Sequence, residues 1–549
     1  MATRHVATLT IVLGLTACRA PARAARCASE APIDRAVERP AALSPEPERR
    51  LNSDYQPEAF AAGERSAMVE AAREPFDAFV REHARQRAFV GLAVGVVVDG
   101  ALVQESYVGD DEDGDPITGQ TAFRIGSLSK AFTTSLALAL RDEGRLDLDR
   151  PATAYLPELG NVLYPTADAP AVTLRHLMTH ASGLPASPSF SYGDPGVVVT
   201  EARLLAELDG LSLSNVVGTS WSYSNLGIAY AGLIAARAGG SSFEDTLRKR
   251  LLEPLGMTRT VLDEGDVPHG ALATGHDAGG QVVSRQGHWR LGAGGPAGGI
   301  YSTLHDMGRW VAFQLDAYPP RNDPPSTILS RASRRQAHRV AHAVAFDATS
   351  KGGELRAYSE GYGMGWFVRQ NCRFRQLVFH NGSMRGYFAS AYFLPDYGFG
   401  VVALTSSRTN TAALAREGLE LYVRRGGFTP RMAVPRPELA SRTRRALRLA
   451  HSWSDAEYER LYDTSFRSIV SSETWRGEMA KLVDRGGECR LVRTLWVKSR
   501  DHARFLFECR HGLVAAGGEV NRRSLGFTTF GWSRVESPPS HHDVCDPSP

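Results

Sequence analysis

The apolar positions change their period along the chain, and those changes divide it. From residue 64 to about 87, Met68, Ala71, Phe76, Phe79 and Val80 fall roughly on one helical face, which predicts a helix. Next come Gly91-Leu92-Ala93-Val94-Gly95-Val96-Val97-Val98 and Ala101-Leu102-Val103-Gln104-Glu105-Ser106-Tyr107, separated by Asp99-Gly100. Two β-rich runs around Asp-Gly predict a hairpin. Residues 127 to about 255 are largely helical in pattern. Strand-like runs return at 363–369, 376–380, 387–394 and 398–404, and a helix from about 411 to 424 closes the section. The first hairpin lies far in sequence from the last strands. One antiparallel sheet that joins them, flanked by helices, with the helical middle as a second lobe, is the economical α+β arrangement. A cleft between such lobes is a favoured place for a ligand.

The flanks read differently. Residues 314–360, with their Pro, Arg, Ser and His content, predict an irregular surface insertion. Residues 440–535 show helix-like and then strand-like runs, including 491–498 and 503–509, and predict a small accessory α+β domain. The tail 536–549 reads as disordered. At the other end, Arg4 and His5 precede a mostly apolar run at 6–15, too short to span a bilayer but suited to the core of an export signal. The run ends in Leu15-Thr16-Ala17-Cys18, which resembles a bacterial lipobox. That reading makes 1–17 a signal peptide, Cys18 the lipidated residue and 18–60, rich in Ala, Pro, Arg and Glu, a flexible tether. The alternative is an ordinary cleaved signal with Cys18 incidental. Either implies export. With lipidation the protein faces the periplasm, and Arg19 after Cys18 favours the outer membrane where the host has one.

At 549 residues the main domain is expected to span 61–428. Hydrophobic content of 43% and charged content of 22% suit a globular protein with a sizeable core. A net charge of +3 without a basic stripe argues against nucleic acid as a partner. Of six cysteines, Cys27, Cys372, Cys489, Cys509 and Cys545 remain beside Cys18. Pairing is plausible in an exported protein, with Cys489 and Cys509 the best candidates because both fall in strand-like runs of one small region. No cysteine pair has zinc-ligand spacing, and no metal or cofactor is expected.

The chemistry centres on Phe123-Arg124-Ile125-Gly126-Ser127-Leu128-Ser129-Lys130, which leads into a helical run. A serine hydroxyl is a poor nucleophile near neutral pH and needs a neighbouring proton acceptor. A lysine at i+3 on a helix sits one turn above the serine on the same face. A sheltered lysine loses proton affinity and can act as a base. Alone, Ser-x-x-Lys is a weak signal. Two further segments strengthen it: Trp221-Ser222-Tyr223-Ser224-Asn225 at a loop-to-helix start, and His380-Asn381-Gly382-Ser383 at a strand end, where Gly382 permits close approach of a ligand backbone.

In this order the three segments closely resemble the serine β-lactamase and penicillin-recognising D,D-peptidase superfamily, nearest to its class C β-lactamase, D,D-carboxypeptidase and esterase-like branch. Supporting phrases are Val172-Thr173-Leu174-Arg175-His176-Leu177-Met178-Thr179-His180-Ala181-Ser182-Gly183-Leu184-Pro185, Glu253-Pro254-Leu255-Gly256-Met257 and Pro296-Ala297-Gly298-Gly299-Ile300-Tyr301-Ser302-Thr303. The likeness covers roughly residues 65–425. It implies a β-lactamase/transpeptidase-like fold and a serine hydrolase that forms an acyl-enzyme on D-Ala peptides, small esters or β-lactams. By the same likeness Ser127 is the nucleophile, and Lys130 with Tyr223 shuttles protons. Asn225 binds the substrate amide or holds Lys130, His380, Asn381, Gly382 and Ser383 form the substrate-binding strand, and the N–H groups of Ser127 and Ser383 make an oxyanion hole. His380 stands where many members carry lysine, and Asn381 where Thr or Ser is usual. A histidine, neutral over much of the range near pH 7, weakens the expected hold on a β-lactam carboxylate. These departures also leave open a catalytically silent protein that senses cell-wall peptides. His176 and His180 imitate a helical metal pair, but no glutamate follows His176, and the phrase makes both structural. The C-terminal region faintly resembles NTF2-like accessory domains, which implies packing or binding.

Overall fold

The structure, a computed structural model, describes residues 50–535 apart from 52–54, 61–63, 112, 191–197, 284–287, 325, 352–353 and 483–487. The expected signal peptide, tether and tail, with Cys18, Cys27 and Cys545, lie outside the described residues.

The chain enters through helix α1 (Arg65–Arg87), then the hairpin β1 (Leu92–Val98) and β2 (Ala101–Val108), turned by Asp99 and Gly100, both at positive φ. A short strand β3 (Ala122–Arg124) leads to the 3-10 turn Gly126–Leu128 and helix α2 (Ser129–Asp142). The helical middle contributes α3 (Asn225–Gly239). Strand β4 (Tyr301–Thr303) then pairs with β3 and runs into α4 (Leu304–Leu315). The remaining strands are β5 (His342–Lys351), β6 (Glu354–Tyr362), β7 (Phe367–Asn371), β8 (Leu377–Met384), β9 (Tyr387–Leu394) and β10 (Phe399–Thr405), followed by α5 (Ala412–Gly426).

These strands form one eight-stranded antiparallel sheet in the order β2-β1-β10-β9-β8-β7-β6-β5. The distant pairing expected from sequence is its centre: β1 lies against β10, with Val94 opposite Ala403. Strand β1 is buried along its whole length because both faces of the sheet are covered, which is why it reads as an unbroken apolar run instead of alternating. On one face Val94, Val96 and Val98 meet Phe76 of α1 and Tyr422 of α5. On the other Ala93 and Val97 join the core built on α2, α3 and α4, where Phe132 stacks on Trp310 at 4.0 Å between ring centroids.

One expectation needs correction. The supposedly irregular stretch 314–360 contains a helix at Arg331–Ala337 and the long hairpin β5–β6, which extends the sheet at its open edge. An edge hairpin is held by backbone hydrogen bonds and buries few side chains; Phe346 is 76% exposed. Its hydrophobic pattern therefore carries little strand signal.

After residue 436 a separate small unit begins. Helices at Pro437–Arg448, Asp455–Leu461, Thr464–Ile469 and Ser472–Ala480 pack against an antiparallel meander of β11 (Arg490–Ser499), β12 (His502–Cys509), β13 (Gly512–Val520) and β14 (Phe527–Val535). A disulfide joins Cys489 to Cys509. Among the described residues no helix is long and apolar enough to cross a membrane.

Candidate active site

Ser127 sits in the 3-10 turn that opens α2, where the two core lobes meet. Gly126 in that turn has φ +52°, a conformation that favours glycine. A side-chain carbon on Gly126 would come within 2.8 Å of the Ser383 nitrogen, and one on Gly382 within 1.8 Å of Ile125 O and 2.9 Å of the Ser127 nitrogen. The end of β8 thus lies backbone to backbone against the nucleophile turn. The two nitrogens expected to hold an oxyanion belong to these abutting segments. The turn is fixed from its other side as well: Ile125 N donates to Ile300 O (3.0 Å), Ser129 Oγ donates to Gly126 O (2.7 Å), and Ile300 N donates to Ser129 Oγ (3.2 Å).

Lys130 lies one turn after Ser127, at the start of α2, and is fully buried. Its Nζ is 2.9 Å from Ser127 Oγ, donates to Ala297 O at 2.6 Å, and stands 4.9 Å from the centre of the Tyr223 ring. Burial lowers its pKa from the usual lysine value to about 7. The Tyr223 phenol moves the opposite way. Burial raises it above the usual tyrosine value, while a hydrogen bond with the Ser127 side chain partly offsets the rise. Of the two groups flanking the hydroxyl, only the lysine can be unprotonated near neutral pH. The phenol keeps its proton and can pass one on.

Tyr223 precedes α3, whose N-terminus is built by Ser224. Its Oγ accepts from Gly227 N (2.9 Å) and donates to Pro185 O (2.6 Å), while its N donates to His180 Nδ1 (3.1 Å). His180 sits at φ +59°, fully buried, with its ring 4.3 Å from that of Tyr223. His176 serves the preceding short helix: its Nδ1 accepts from Thr173 N (3.2 Å), while Thr173 Oγ1 accepts from His176 N (3.3 Å), a capping box. Asn225 opens α3 half-buried, and its N donates to Ala186 O (2.8 Å). Among the described residues Lys130 is held by Ser127 and Ala297, not by Asn225.

The substrate-strand assignments divide by face, because side chains alternate along a strand. His380 and Gly382 face the catalytic side. Asn381 points the other way, where Oδ1 accepts from Ser390 Oγ (2.8 Å) and Nδ2 donates to Tyr392 Oη (3.3 Å). The expected substrate contact through the Asn381 carboxamide is therefore corrected: that group is committed to the sheet's far face. His380 is 1% exposed and has both ring nitrogens occupied; Nδ1 donates to Asn381 O (2.7 Å), and Tyr362 Oη donates to Nε2 (3.3 Å). Burial, reinforced by the nearby Lys130 charge, lowers its pKa to about 3. The imidazole is neutral and stands behind the site as a support. Ser383 is exposed at the strand end.

Sequence reasoning missed three contributors. Ala297 supplies the carbonyl that anchors Lys130, Thr133 Oγ1 ties the same segment to α2 through Pro296 O (2.7 Å), and Tyr362 holds His380. The phrase around Pro296 was visible, but a backbone acceptor leaves no side-chain signature.

Residues 76–423 match the family model described as Beta-lactamase. The chain belongs to the beta-lactamase family. Within it, the chain is 27% identical to a beta-lactamase of Pseudomonas fluorescens over 349 residues, which is 61% of this chain and 93% of that protein. It is 33% identical to a beta-lactamase of Lysobacter lactamgenus over 230 residues (41% and 56%), and 29% identical to beta-lactamase-like protein 2 of Dictyostelium discoideum over 297 residues (51% and 52%). Against several of these relatives the chain spans only about half to three-fifths of their length. Membership in this beta-lactamase family makes the chain a serine hydrolase family member with the β-lactamase fold.

Three outcomes follow from this geometry. Turnover should rise with pH through about 7, because a protonated Nζ cannot accept the serine proton, and Lys130→Ala should cost about 10²–10⁴ in kcat/KM across the profile. The folded state disfavours the lysine charge that the unfolded chain accepts, so the stability penalty is full below about pH 7 and fades toward about pH 10.5. Lys130→Met should accordingly raise the melting temperature more at about pH 6 than at about pH 10. Gly382→Ala, which forces β8 off the nucleophile turn, should lower kcat by about 10² or more while circular dichroism retains the folded signal.

Proposed function

We propose that this protein hydrolyses small esters or amides through an acyl-enzyme on Ser127. The observation that carries the reading is a fully buried lysine, held near pKa 7, at 2.9 Å from the serine hydroxyl. Neutral Lys130 takes the Ser127 proton as Oγ bonds to the substrate carbonyl carbon. The resulting oxyanion is received by the N–H groups of Ser127 and Ser383. As the intermediate collapses, the leaving alcohol or amine takes a proton from Lys130 through the Tyr223 phenol. Water then attacks the acyl carbon, gives its proton back along the same route, and releases the acid and free Ser127.

Substrate class follows from the strand. Where a lysine would offer a cation to a carboxylate, this chain has a buried neutral imidazole with both nitrogens engaged. Acyl donors that lack a free carboxylate beside the scissile bond are therefore favoured over β-lactams. Retention of the buried base beside the serine speaks against a silent sensor, since an unneutralised buried lysine is costly and has no use in passive binding.

An activated-serine probe should label wild type and leave Ser127→Ala unlabelled; equal labelling removes Ser127 from its role. With a D-Ala-D-Ala peptide, the free acid and its carboxamide should turn over within about tenfold of each other, and short-chain p-nitrophenyl esters should outpace nitrocefin. A preference of about a hundredfold for the free acid would overturn the neutral-substrate reading.

We further propose export and lipid anchoring through Cys18. In a bacterial host, radiolabelled palmitate should enter the wild-type chain and not Cys18→Ala; equal incorporation rejects the anchor.

A further inference from the structure

Beside the segment that carries Pro296 lies a cavity of about 940 Å³ that includes neither Ser127, Lys130 nor Tyr223 in its lining. Its walls come from the end of α3, the segment 241–244, the loop 262–265 and the turn Gly292–Ala297. Arg124 of β3 lines it. This arginine is 2% exposed, its Nη2 donates to Trp289 O (2.7 Å), and its Nε and Nη1 have no hydrogen-bond partner among the described residues. The described residues place no carboxylate within ion-pair distance of it. Glu264, the acid nearest in kind, is occupied by His288 Nδ1 (2.7 Å) and Tyr301 Oη (3.1 Å). A buried guanidinium with two idle donor groups is expensive to keep unless something anionic meets it.

The same lining also carries acidic residues. Glu244 and Asp263 both line the cavity. Neither carboxylate forms an ion pair with a described basic residue. Arg237, which also lines the space, is already taken by Glu158 and Glu201. The carboxyl of Glu244 is raised above its usual range by burial, partly offset by a hydrogen bond from the Leu262 backbone, with Asp266, Asp263 and Asp245 adding repulsion.

We propose that this cavity binds a small zwitterion, a free amino acid or short peptide, with its carboxylate on Arg124 and its ammonium toward Glu244 and Asp263. A buried guanidinium with two unpartnered donors and two carboxylates without a described basic partner, lining one cavity, carry the assignment. The wall nearest the catalytic site is shared. Pro296 lines the cavity, while the carbonyls of Pro296 and Ala297 hold Thr133 and Lys130. The proposal stands apart from the reading of Ser127, because binding is measured, not turnover.

Titration calorimetry of the full chain, in the Ser127→Ala background to prevent turnover, tests it with alanyl-alanine as the probe. Saturable binding is expected, weakened about tenfold or more when the probe is N-acetylated or C-amidated, and likewise by Arg124→Met and by Glu244→Gln. Ala236→Trp, which fills the space from α3 without touching either charge, should abolish binding while p-nitrophenyl ester turnover persists in the wild-type Ser127 background. No saturable heat for wild type, equal binding by the capped and free probes, or undiminished binding by Ala236→Trp each overturns the proposal. The last of these would put the probe in the catalytic cleft.

Discussion

A lysine side chain taken wholly out of water, 2.9 Å from a serine hydroxyl and with no carboxylate among the described residues to neutralise it, is the constraint around which the site is organised. The fold meets the cost of that burial by letting the amine shed its proton near neutrality, which is also what makes it a base. Its remaining donor is spent on one backbone carbonyl, Ala297 O. That carbonyl has to be delivered accurately, and the turn carrying it is pinned to α2 by Thr133 and to the nucleophile turn by Ile300 and Ser129. Neighbouring groups comply with the same electrostatics. His180 and His380 are both buried with their pKa values pushed down, first by burial and then by the lysine charge, so neither adds a second cation.

Backbone contact, more than side-chain packing, joins the strand to the serine. Gly126 and Gly382 lie where any side chain would drive β8 and the nucleophile turn apart. Gly365 plays a similar part on the outer side of α2, where an added carbon would meet Thr134 Oγ1 at 2.4 Å and Lys130 O at 2.9 Å. The sheet and the helical lobe are thus brought close enough for an oxyanion site to be made of main chain, which needs no reorientation as charge develops.

Much of this was legible in the residues, and the division between what was and was not follows from physics. Strand β1 announced itself because burial on both faces demands a continuous apolar run. The meeting of Ser127, Lys130 and Tyr223 was legible because each lies in a short recognisable motif. The hairpin β5–β6 was not, since an edge pairing through backbone groups leaves the composition polar and exposed. Asn381 was misassigned for a related reason. Its motif places it beside the catalytic strand, but strand alternation turns its carboxamide to Ser390 and Tyr392. Ala297 and the Arg124 cavity escaped notice because a carbonyl and an empty space have no letter in the sequence.

Position 380 shows how the lysine's environment constrains the rest of the site. An ammonium there would be a like charge close to Lys130 and would depress its pKa by repulsion as well as by burial. In this chain burial is the whole cause of the shift, and the neighbouring imidazole is uncharged. A lysine pKa set by desolvation alone depends on water staying away from α2, which the packed, mutually tilted rings of His180, Tyr223 and Tyr362 help to ensure. The neutral histidine removes the fixed cation that would anchor a carboxylate. Burial, reinforced by the nearby Lys130 charge, keeps it from titrating into one. The absence of a fixed cation at this end of β8 and a lysine pKa set by desolvation alone are therefore two consequences of one choice, a buried uncharged ring where a charged chain could stand.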